Sequence, residues 1–441
     1  MFRYIKLKNY KSLVDFEVDL TNKKGMPKKF VLVYGENGVG KTNLASAFNT
    51  MLDMLRTKVA SDWVSRYMEM EPEERRNDPK FQHSLALNFK SIETIIKETK
   101  TINSEDNMEF EFGFRINNKN GAYRIVLDNT KIIEEKLIDE SDLKNKIEFS
   151  IDENECYLSD GLFKDLRYKK DIDDLLDKYW GKHSLFSLIF FENADKRTDY
   201  IKERLNKHFF QILTFFVTLG VRLTRHENPN QDTFGTHYQI MTSLEKGNIP
   251  TAYISQLKKA EKMLNMFFTN LYSDIKQVYY ETEEMNNNYT KYNLMFKKLI
   301  QNKIVDVKYT NESAGTKCLV DLIPFFMSSM EGNFLAIDEI DTKIHDILIS
   351  TILESFFESA KNQVIMTTHN TLLLENEKLR ANAFVFKVDK NGCKKLLPIT
   401  DFEERIHPNL NIRKRYLNGL YGGIPFVGEV DFDELLEIME E

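Results

Sequence analysis

Gly35-Glu36-Asn37-Gly38-Val39-Gly40-Lys41-Thr42 fills every fixed position of G-x-x-x-x-G-K-[ST], the pattern of a phosphate-binding loop. The flanks agree with it. Phe30-Val31-Leu32-Val33-Tyr34 is a short apolar run that predicts a buried strand. From Asn43 the residues Leu44, Ala47, Phe48 and Leu52 recur on one helical face. Strand, glycine loop and helix are the context the motif needs. Glycines let successive backbone N–H groups close around phosphate oxygens. The helix start adds a partial positive charge at the same point. Lys41 is placed to reach the β- and γ-phosphates, and Thr42 to ligate Mg²⁺. The candidate cofactor-binding set here is Gly35, Glu36, Asn37, Gly38, Val39, Gly40, Lys41, Thr42 and Asn43.

The chain has 441 residues, enough for one large domain with an insertion or for two to three domains. Its formal net charge is −7, so no global basic surface points to nucleic acid, although a local patch stays open. Cys156, Cys318 and Cys393 stand alone, without metal-binding spacing, which suggests reduced thiols and a cytoplasmic protein. The first residues carry charges and no signal-peptide core. The most apolar stretch, Phe209 to Val221, is too short to span a bilayer and reads as a buried helix.

The expected fold class is α/β: a phosphate-loop ATPase head with a mostly parallel sheet, an antiparallel β-subdomain and a helical insertion. Residues 1–155 form the expected N-terminal lobe. Val14, Phe16, Val18 and Leu20 alternate with acids, and Met108 to Ile116 alternates even more cleanly, before a turn at Asn117 to Gly121. Residues 156–304, rich in Phe, Leu, Lys and Glu, read as the helical insertion. Leu257, Leu264, Phe268, Leu271 and Ile275 there suit a helix in a bundle. Residues 305–441 return to strands alternating with helices, the mark of a covered parallel sheet.

Two further strand ends carry candidate chemistry. Phe334-Leu335-Ala336-Ile337 ends in Asp338-Glu339. A phosphate loop needs an acid at a neighbouring strand end to hold Mg²⁺, the role expected of Asp338. Glu339 can polarise the attacking water as general base if it faces the γ-phosphate. Gln363 to Thr367 ends in Thr368-His369, where a histidine can contact the γ-phosphate. Taken singly, these are also readable as exposed acids at a strand end and a structural histidine. Together they fall where open α/β sheets bind nucleotides. The catalytic candidates are thus Lys41, Glu339 and His369, and the metal candidates Thr42 and Asp338. Ser313 and Gly315 open the helix of Lys317 to Phe326, as a second anion site or as an ordinary helix cap.

The order of phosphate loop, long insertion, Ser-x-Gly helix start, Asp-Glu strand and His strand resembles ATP-binding-cassette ATPases. The chain resembles the SMC, RecF and OLD-like branch, and within it the AAA-type ATPases of bacterial abortive-infection and anti-phage systems. Asn9-Tyr10-Lys11-Ser12 is similar to the shared start of these proteins, which implies that Lys11 lies near the nucleotide base. Asp338-Glu339-Ile340-Asp341 followed by His345 resembles their Walker B and following loop. Tyr416-Leu417-Asn418-Gly419 with Tyr421-Gly422-Gly423-Ile424-Pro425 resembles their C-terminal tail. The resemblance implies ATP and Mg²⁺ as cofactors. It also implies a head-to-tail homodimer, or a higher homo-oligomer, in which Ser313 and Gly315 of one subunit close on the phosphate held by Lys41 of the other. Gln82 is the candidate for the Mg²⁺-sensing glutamine.

OLD-like nucleases carry a Toprim domain after the ATPase, and no such segment is expected here. Asp431-Phe432-Asp433 reads as solvated surface. The resemblance therefore implies a separate effector protein, a Toprim-type or other nuclease, and a phage protein as trigger; the ATPase subunit of the PARIS system is one such arrangement. The competing expectation is a RecF- or SMC-like repair ATPase that binds DNA through Lys258, Lys259, Lys262 and Lys297, Lys298, Lys303. Whether DNA is bound stays open, no membrane partner is expected, and a transporter subunit is disfavoured by the long insertion.

Overall fold

The structure, a computed structural model, describes residues 1–69, 90–141, 145–195, 198–224, 239–285, 288–403, 410–424, 428 and 430–440. Strands β1 (Phe2–Tyr10) and β2 (Leu13–Asp19) form a hairpin with one apolar face turned inward. β3 (Phe30–Tyr34) then leaves for a second sheet, and all five of its residues are buried. Helix α1 (Lys41–Glu69) follows the glycine loop, and α2 (Ile92–Thr99) comes after it. Gln82 lies outside the described residues.

β4 (Met108–Ile116), β5 (Lys119–Leu127), β6 (Ile132–Asp139), β7 (Lys146–Asp152) and β8 (Cys156–Leu158) complete the first sheet. It is antiparallel, in the order β2-β1-β4-β5-β6-β7-β8. Asn117 and Asn118 turn β4 into β5 with φ of 49° and 64°, the positive values that a two-residue hairpin needs. Helices α3 (Leu166–Tyr179), α4 (Leu185–Asp195), α5 (Thr198–Arg204) and α6 (Lys207–Val217) cover the inner face. Phe186 of α4 stacks on Tyr123 of β5 with centroids 4.5 Å apart.

The apolar run Phe209 to Val221 is not one helix. Thr218 ends α6, and Gly220 begins β9 (Gly220–Arg222), which pairs in parallel with a strand far along the chain. The helical reading of 156–304 is corrected further on. β10 (Lys246–Pro250), β11 (Ile275–Met285), β12 (Tyr289–Ile300) and β13 (Lys303–Lys308) form a third sheet. Helix α7 (Ile254–Leu271) buries Leu257, Leu264 and Phe268, as its spacing predicts, but it packs on β11 rather than in a bundle. Ile275 belongs to β11. Two α7 side chains cap the outer edge of that strand: Val278 N–H donates to Asn265 Oδ1 and Tyr280 N–H to Glu261 Oε2, both at 2.8 Å. An open edge is thereby closed. Lys258, Lys259 and Lys262 are exposed on α7, whereas Lys298 is tied to Asp274 and Glu312 at 3.2 Å each.

Helix α8 (Ala314–Glu331) leads to β14 (Leu335–Ile337). Then come α9 (Asp346–Ser359), β15 (Val364–Thr367), α10 (Glu377–Arg380), β16 (Ala383–Val388), β17 (Lys394–Pro398), α11 (Ile412–Leu417) and α12 (Phe432–Glu440). The second sheet runs β17-β16-β3-β15-β14-β9, parallel throughout except for β17. β3 is interior, with β15 and β16 on its two sides, so the loop that follows it opens at the parallel carboxyl ends. The buried amide of Gln363 joins the two larger sheets. Its Oε1 accepts from Phe2 N–H at 2.7 Å, and its Nε2 donates to the carbonyls of Phe2 and Lys28 at 3.0 and 2.9 Å. Among the described residues no helix is long and apolar enough to cross a membrane.

Glu135 is fully buried at the start of α4. It accepts from Leu185 N–H at 2.7 Å and Tyr123 OH at 2.8 Å, yet desolvation outweighs these bonds and raises its pKa to about 7. A carboxyl with a raised folded pKa stabilises most below its unfolded pKa, and that contribution is lost as pH climbs through the folded one. The urea midpoint of the protein should therefore decline from pH 5 to pH 8, and Glu135→Gln should flatten that slope in parallel titrations.

Candidate nucleotide-binding site

Six ionisable side chains from three parallel strand ends share one small volume. Lys41 begins α1 with only 6 % of its surface exposed. Its Nζ donates to the carbonyls of Gly35 and Glu36 at 2.7 and 2.9 Å. Burial lowers its pKa, while Asp338, Glu339, Asp341 and Glu36, in that order, push it up. The carboxylates of Asp338, Glu339 and Asp341 lie close enough to feel the ammonium, although about 300 residues separate them from it in the chain. The loop's geometry demands glycine at Gly40: φ is +120°, and a Cβ would stand 3.0 Å from Leu13 Cδ2.

Asp338 follows β14 and is 1 % exposed. Its Oδ1 accepts from the Thr367 hydroxyl at 2.6 Å. Its Oδ2 is buried without a hydrogen-bond partner, although the Thr42 hydroxyl is near enough to pull the pKa down. Desolvation is the larger effect and raises it. An unmatched carboxylate oxygen beside a hydroxyl is a donor set that would fit a hard divalent cation such as Mg²⁺. Asp338 is also pinned from β9, since its N–H donates to the Arg222 carbonyl at 2.9 Å and its carbonyl accepts from the Thr224 hydroxyl at 3.1 Å.

Glu339 has φ +48°, left-handed backbone that is unusual for a residue with a Cβ. Such a conformation costs about 1–3 kcal/mol. Two hydrogen bonds, each worth about 1 kcal/mol, offset it: its N–H donates to Thr367 Oγ1 at 2.7 Å, and its Oε2 accepts from Thr342 at 3.0 Å. The strained turn swings the Glu339 carboxylate off the strand axis, into the field of Lys41. His369 lies past the end of β15, its N–H donating to Asp341 Oδ2 at 3.2 Å. Partial burial first, and Lys41 second, hold its imidazole below the ordinary pKa, against the pull of Asp341, Glu339 and Asp338. Its neutral form is thereby favoured over the imidazolium.

Ser313 and Gly315 stand apart from this cluster. Ser313 is exposed and caps α8, accepting from Thr316 N–H at 3.1 Å. A Cβ on Gly315 would be 2.8 Å from the Lys343 carbonyl, so the first turn of α8 packs against the segment after β14. Among the described residues no hydrogen bond joins Ser313 or Gly315 to the phosphate loop. Lys11 Nζ donates to Ser46 Oγ of α1 at 2.9 Å, one turn past the loop. His345 caps α9. Asn37, Gly38 and Val39 complete the loop, with Gly38 at φ +76°.

Sequence reasoning missed β9, whose end supplies Arg222 and Thr224 beside Asp338; a three-residue strand leaves no period to read. It also missed what the tail does. Tyr416 packs its ring 5.6 Å from that of Tyr34 and donates its hydroxyl to the Gly423 carbonyl at 3.0 Å. A Cβ on Gly423 would stand 3.3 Å from Gly35 Cα. The C-terminal segment thus lies against the first glycine of the loop.

Thr367→Val keeps the shape of that side chain and removes both of its hydroxyl bonds. With Asp338 and the Glu339 amide left unmatched, the unfolding free energy should drop by about 2 kcal/mol in chemical denaturation; no change would mean that the hydroxyl does not organise these strand ends.

A family model described as "AAA domain, putative AbiEii toxin, Type IV TA system" matches residues 30–179 and 197–375. No curated protein matches the chain. Among solved structures, an SMC head bound to the C-terminal winged-helix domain of ScpA is 14% identical with a TM-score of 0.43, covering 91% of this chain and 99% of that one. The SMC head domain from Thermotoga maritima is 14% identical with a TM-score of 0.36, covering 90% and 98%. A structure described as the recombination mediator protein "RecF-ATPrS in RecFOR pathway" is 11% identical with a TM-score of 0.36, again covering 90% and 98%. These likenesses are loose, and the fold assignment rests on the sheet order itself. With the family model spanning both sides of the site, from β3 to the segment after β15, this chain belongs to the AAA-domain family of the putative AbiEii toxin type.

Proposed function

We propose that this protein is an Mg²⁺-dependent, ATP-hydrolysing switch of a bacterial anti-phage, abortive-infection system. In this reading its heads close in pairs around ATP and control a separate effector. The observation that carries it is the meeting of Lys41, Asp338, Glu339 and His369 at the carboxyl ends of three parallel strands. The Lys41 ammonium and the loop amides bind the β- and γ-phosphates. Thr42 and Asp338 would hold the cation, which when bound would supply charge neutralisation on the phosphate oxygens. Glu339, turned off its strand, orients and deprotonates the attacking water. His369 donates an imidazole N–H to a γ-phosphate oxygen.

Ser313 is exposed at a helix start, and among the described residues it makes no hydrogen bond to the phosphate loop. A second copy turned head to tail brings that helix N-terminus onto the γ-phosphate. Hydrolysis removes the shared anion and releases the two heads, so ATP turnover becomes a conformational signal. The family description, with its abortive-infection toxin and type IV toxin–antitoxin system, supports a defence role. A nuclease encoded nearby is the effector expected in this scheme, and a phage protein the trigger. A second reading, a RecF- or SMC-like ATPase acting on DNA, rests on the exposed Lys258, Lys259 and Lys262 on α7. ATPase activity that rises strongly with DNA, and falls with salt, would select it.

Glu339→Gln should bind ATP as the natural protein does, turn over at least a hundredfold more slowly and accumulate as closed dimers in size-exclusion runs with ATP. Lys41→Ala, which loses nucleotide binding, is the reference; undiminished turnover in Glu339→Gln would remove that carboxylate as the base. Ser313→Arg should leave ATP affinity of the single head intact and abolish hydrolysis and dimer formation together. Persistent hydrolysis in Ser313→Arg would mean that no partner helix completes the site.

A further inference from the structure

The antiparallel β17 strand brings a second lysine to the phosphate loop. Lys394 is its first residue, paired with Val388 across the β16–β17 turn. Its Nζ donates to Ser12 Oγ at 2.7 Å. Asn43, the residue after Thr42 on α1, donates from Nδ2 to the same oxygen, also at 2.7 Å. The stem of Lys394 runs along the loop, since a Cβ on Gly40 would lie 3.8 Å from its Cδ and 3.7 Å from Ser12 Oγ. Three segments 12, 43 and 394 residues into the chain therefore converge on the last glycine before Lys41.

The donor inventory there is one-sided. A serine hydroxyl has two lone pairs and one proton. Both lone pairs of Ser12 are taken by Asn43 and Lys394, so its proton is directed to some other acceptor. The Lys394 ammonium keeps two further protons. Among the described residues no carboxylate stands against it; partial burial alone shifts its pKa, downward. This differs from Lys41, which four carboxylates surround. A half-buried cation whose one neighbour is a neutral hydroxyl is under-compensated, and with two other donors beside it the cluster is built for an anion rich in acceptors.

Its place along the loop says which part of the ligand it meets. Thr42 faces Asp338, at the metal and γ-phosphate end. Asn43 is the next residue on the helix, turned about 100° away from Thr42. Resting on the nucleotide reading above, we propose that Lys394, with Ser12 and Asn43, forms a subsite for the α-phosphate of the bound nucleotide, making Lys394 a binding determinant shared by ATP and ADP. The hairpin β16–β17 thereby takes part in substrate recognition rather than merely finishing the sheet.

The test is equilibrium binding of ATP and of ADP to the full chain carrying Lys394→Met, Lys394→Arg or Ser12→Ala, each checked for an unchanged melting profile. Lys394→Met should weaken both nucleotides by about tenfold, the scale of one charge-assisted hydrogen bond, and leave their ratio unaltered. Lys394→Arg should restore most of the loss, and Ser12→Ala should lose about threefold for both. If Lys394→Met does not fold, the Ser12→Ala and Lys394→Arg values decide: wild-type affinity in Ser12→Ala overturns the subsite. Wild-type affinity for both nucleotides in Lys394→Met overturns it, and so does a loss confined to ATP, which would put the ammonium at the γ-phosphate. A natural protein that binds neither nucleotide would instead defeat the nucleotide reading itself.

Discussion

The hydroxyl of Thr367 is the smallest group on which the site depends. It accepts from the Glu339 amide and donates to Asp338 Oδ1, and so joins the ends of two parallel strands through one oxygen. Asp338 is held toward Thr42 by that bond, and the left-handed turn at Glu339 is held by its counterpart. Neither acid is free to choose its direction. A buried carboxylate left to itself would take a proton; here the hydroxyl, the cation of Lys41 and Thr42 all favour the charged form. Local strain and local desolvation are both tolerated because the strands beneath, Leu335 to Ile337 and Val364 to Thr367, are wholly buried.

Around this centre, the sheets act as a jig. β3 is fixed between β15 and β16, so the glycine loop begins from a strand that cannot tilt. The β1–β2 hairpin presses Leu13 and Ser12 on the loop's far side. Gln363 keeps the two sheets in register, with three hydrogen bonds from one amide in a place no water reaches. Charge does the rest: one cation among four carboxylates leaves a net negative cluster, which a divalent ion would relieve.

Much of this was legible before any coordinates. Strands buried on both faces read as unbroken apolar runs, and the first polar residue after each run is where chemistry can be placed. That is why Asp338, Glu339 and His369 were readable as strand ends, and why the loop announced itself through Gly40 and Lys41. The failures have physical causes as well. Strand β9 has three residues, too few to show a period. The third sheet has one solvated face, and its Lys and Glu residues imitate the charged side of helices; the alternation of Tyr292, Leu294 and Phe296 was the available signal. Lys394 carried none, because a lysine after a β-turn is ordinary until the fold carries it to Ser12. The helix register of α7 was visible, but its partner was not, because periodicity reports a buried face and not what buries it.

The seat of Gly423 against Gly35 has a bearing on how the molecule is born. A ribosome releases the loop and α1 early, while the acids, the histidine and the tail that backs Gly35 arrive some 300 to 390 residues later. During synthesis the loop strand has neither of its sheet neighbours, for β15 and β16 are still unmade. An emerging chain thus lacks the acids that face Lys41, and a prematurely terminated product lacks the segment that backs Gly35. Only a polypeptide translated past Gly423 has both the acids that face Lys41 and the tail that backs Gly35.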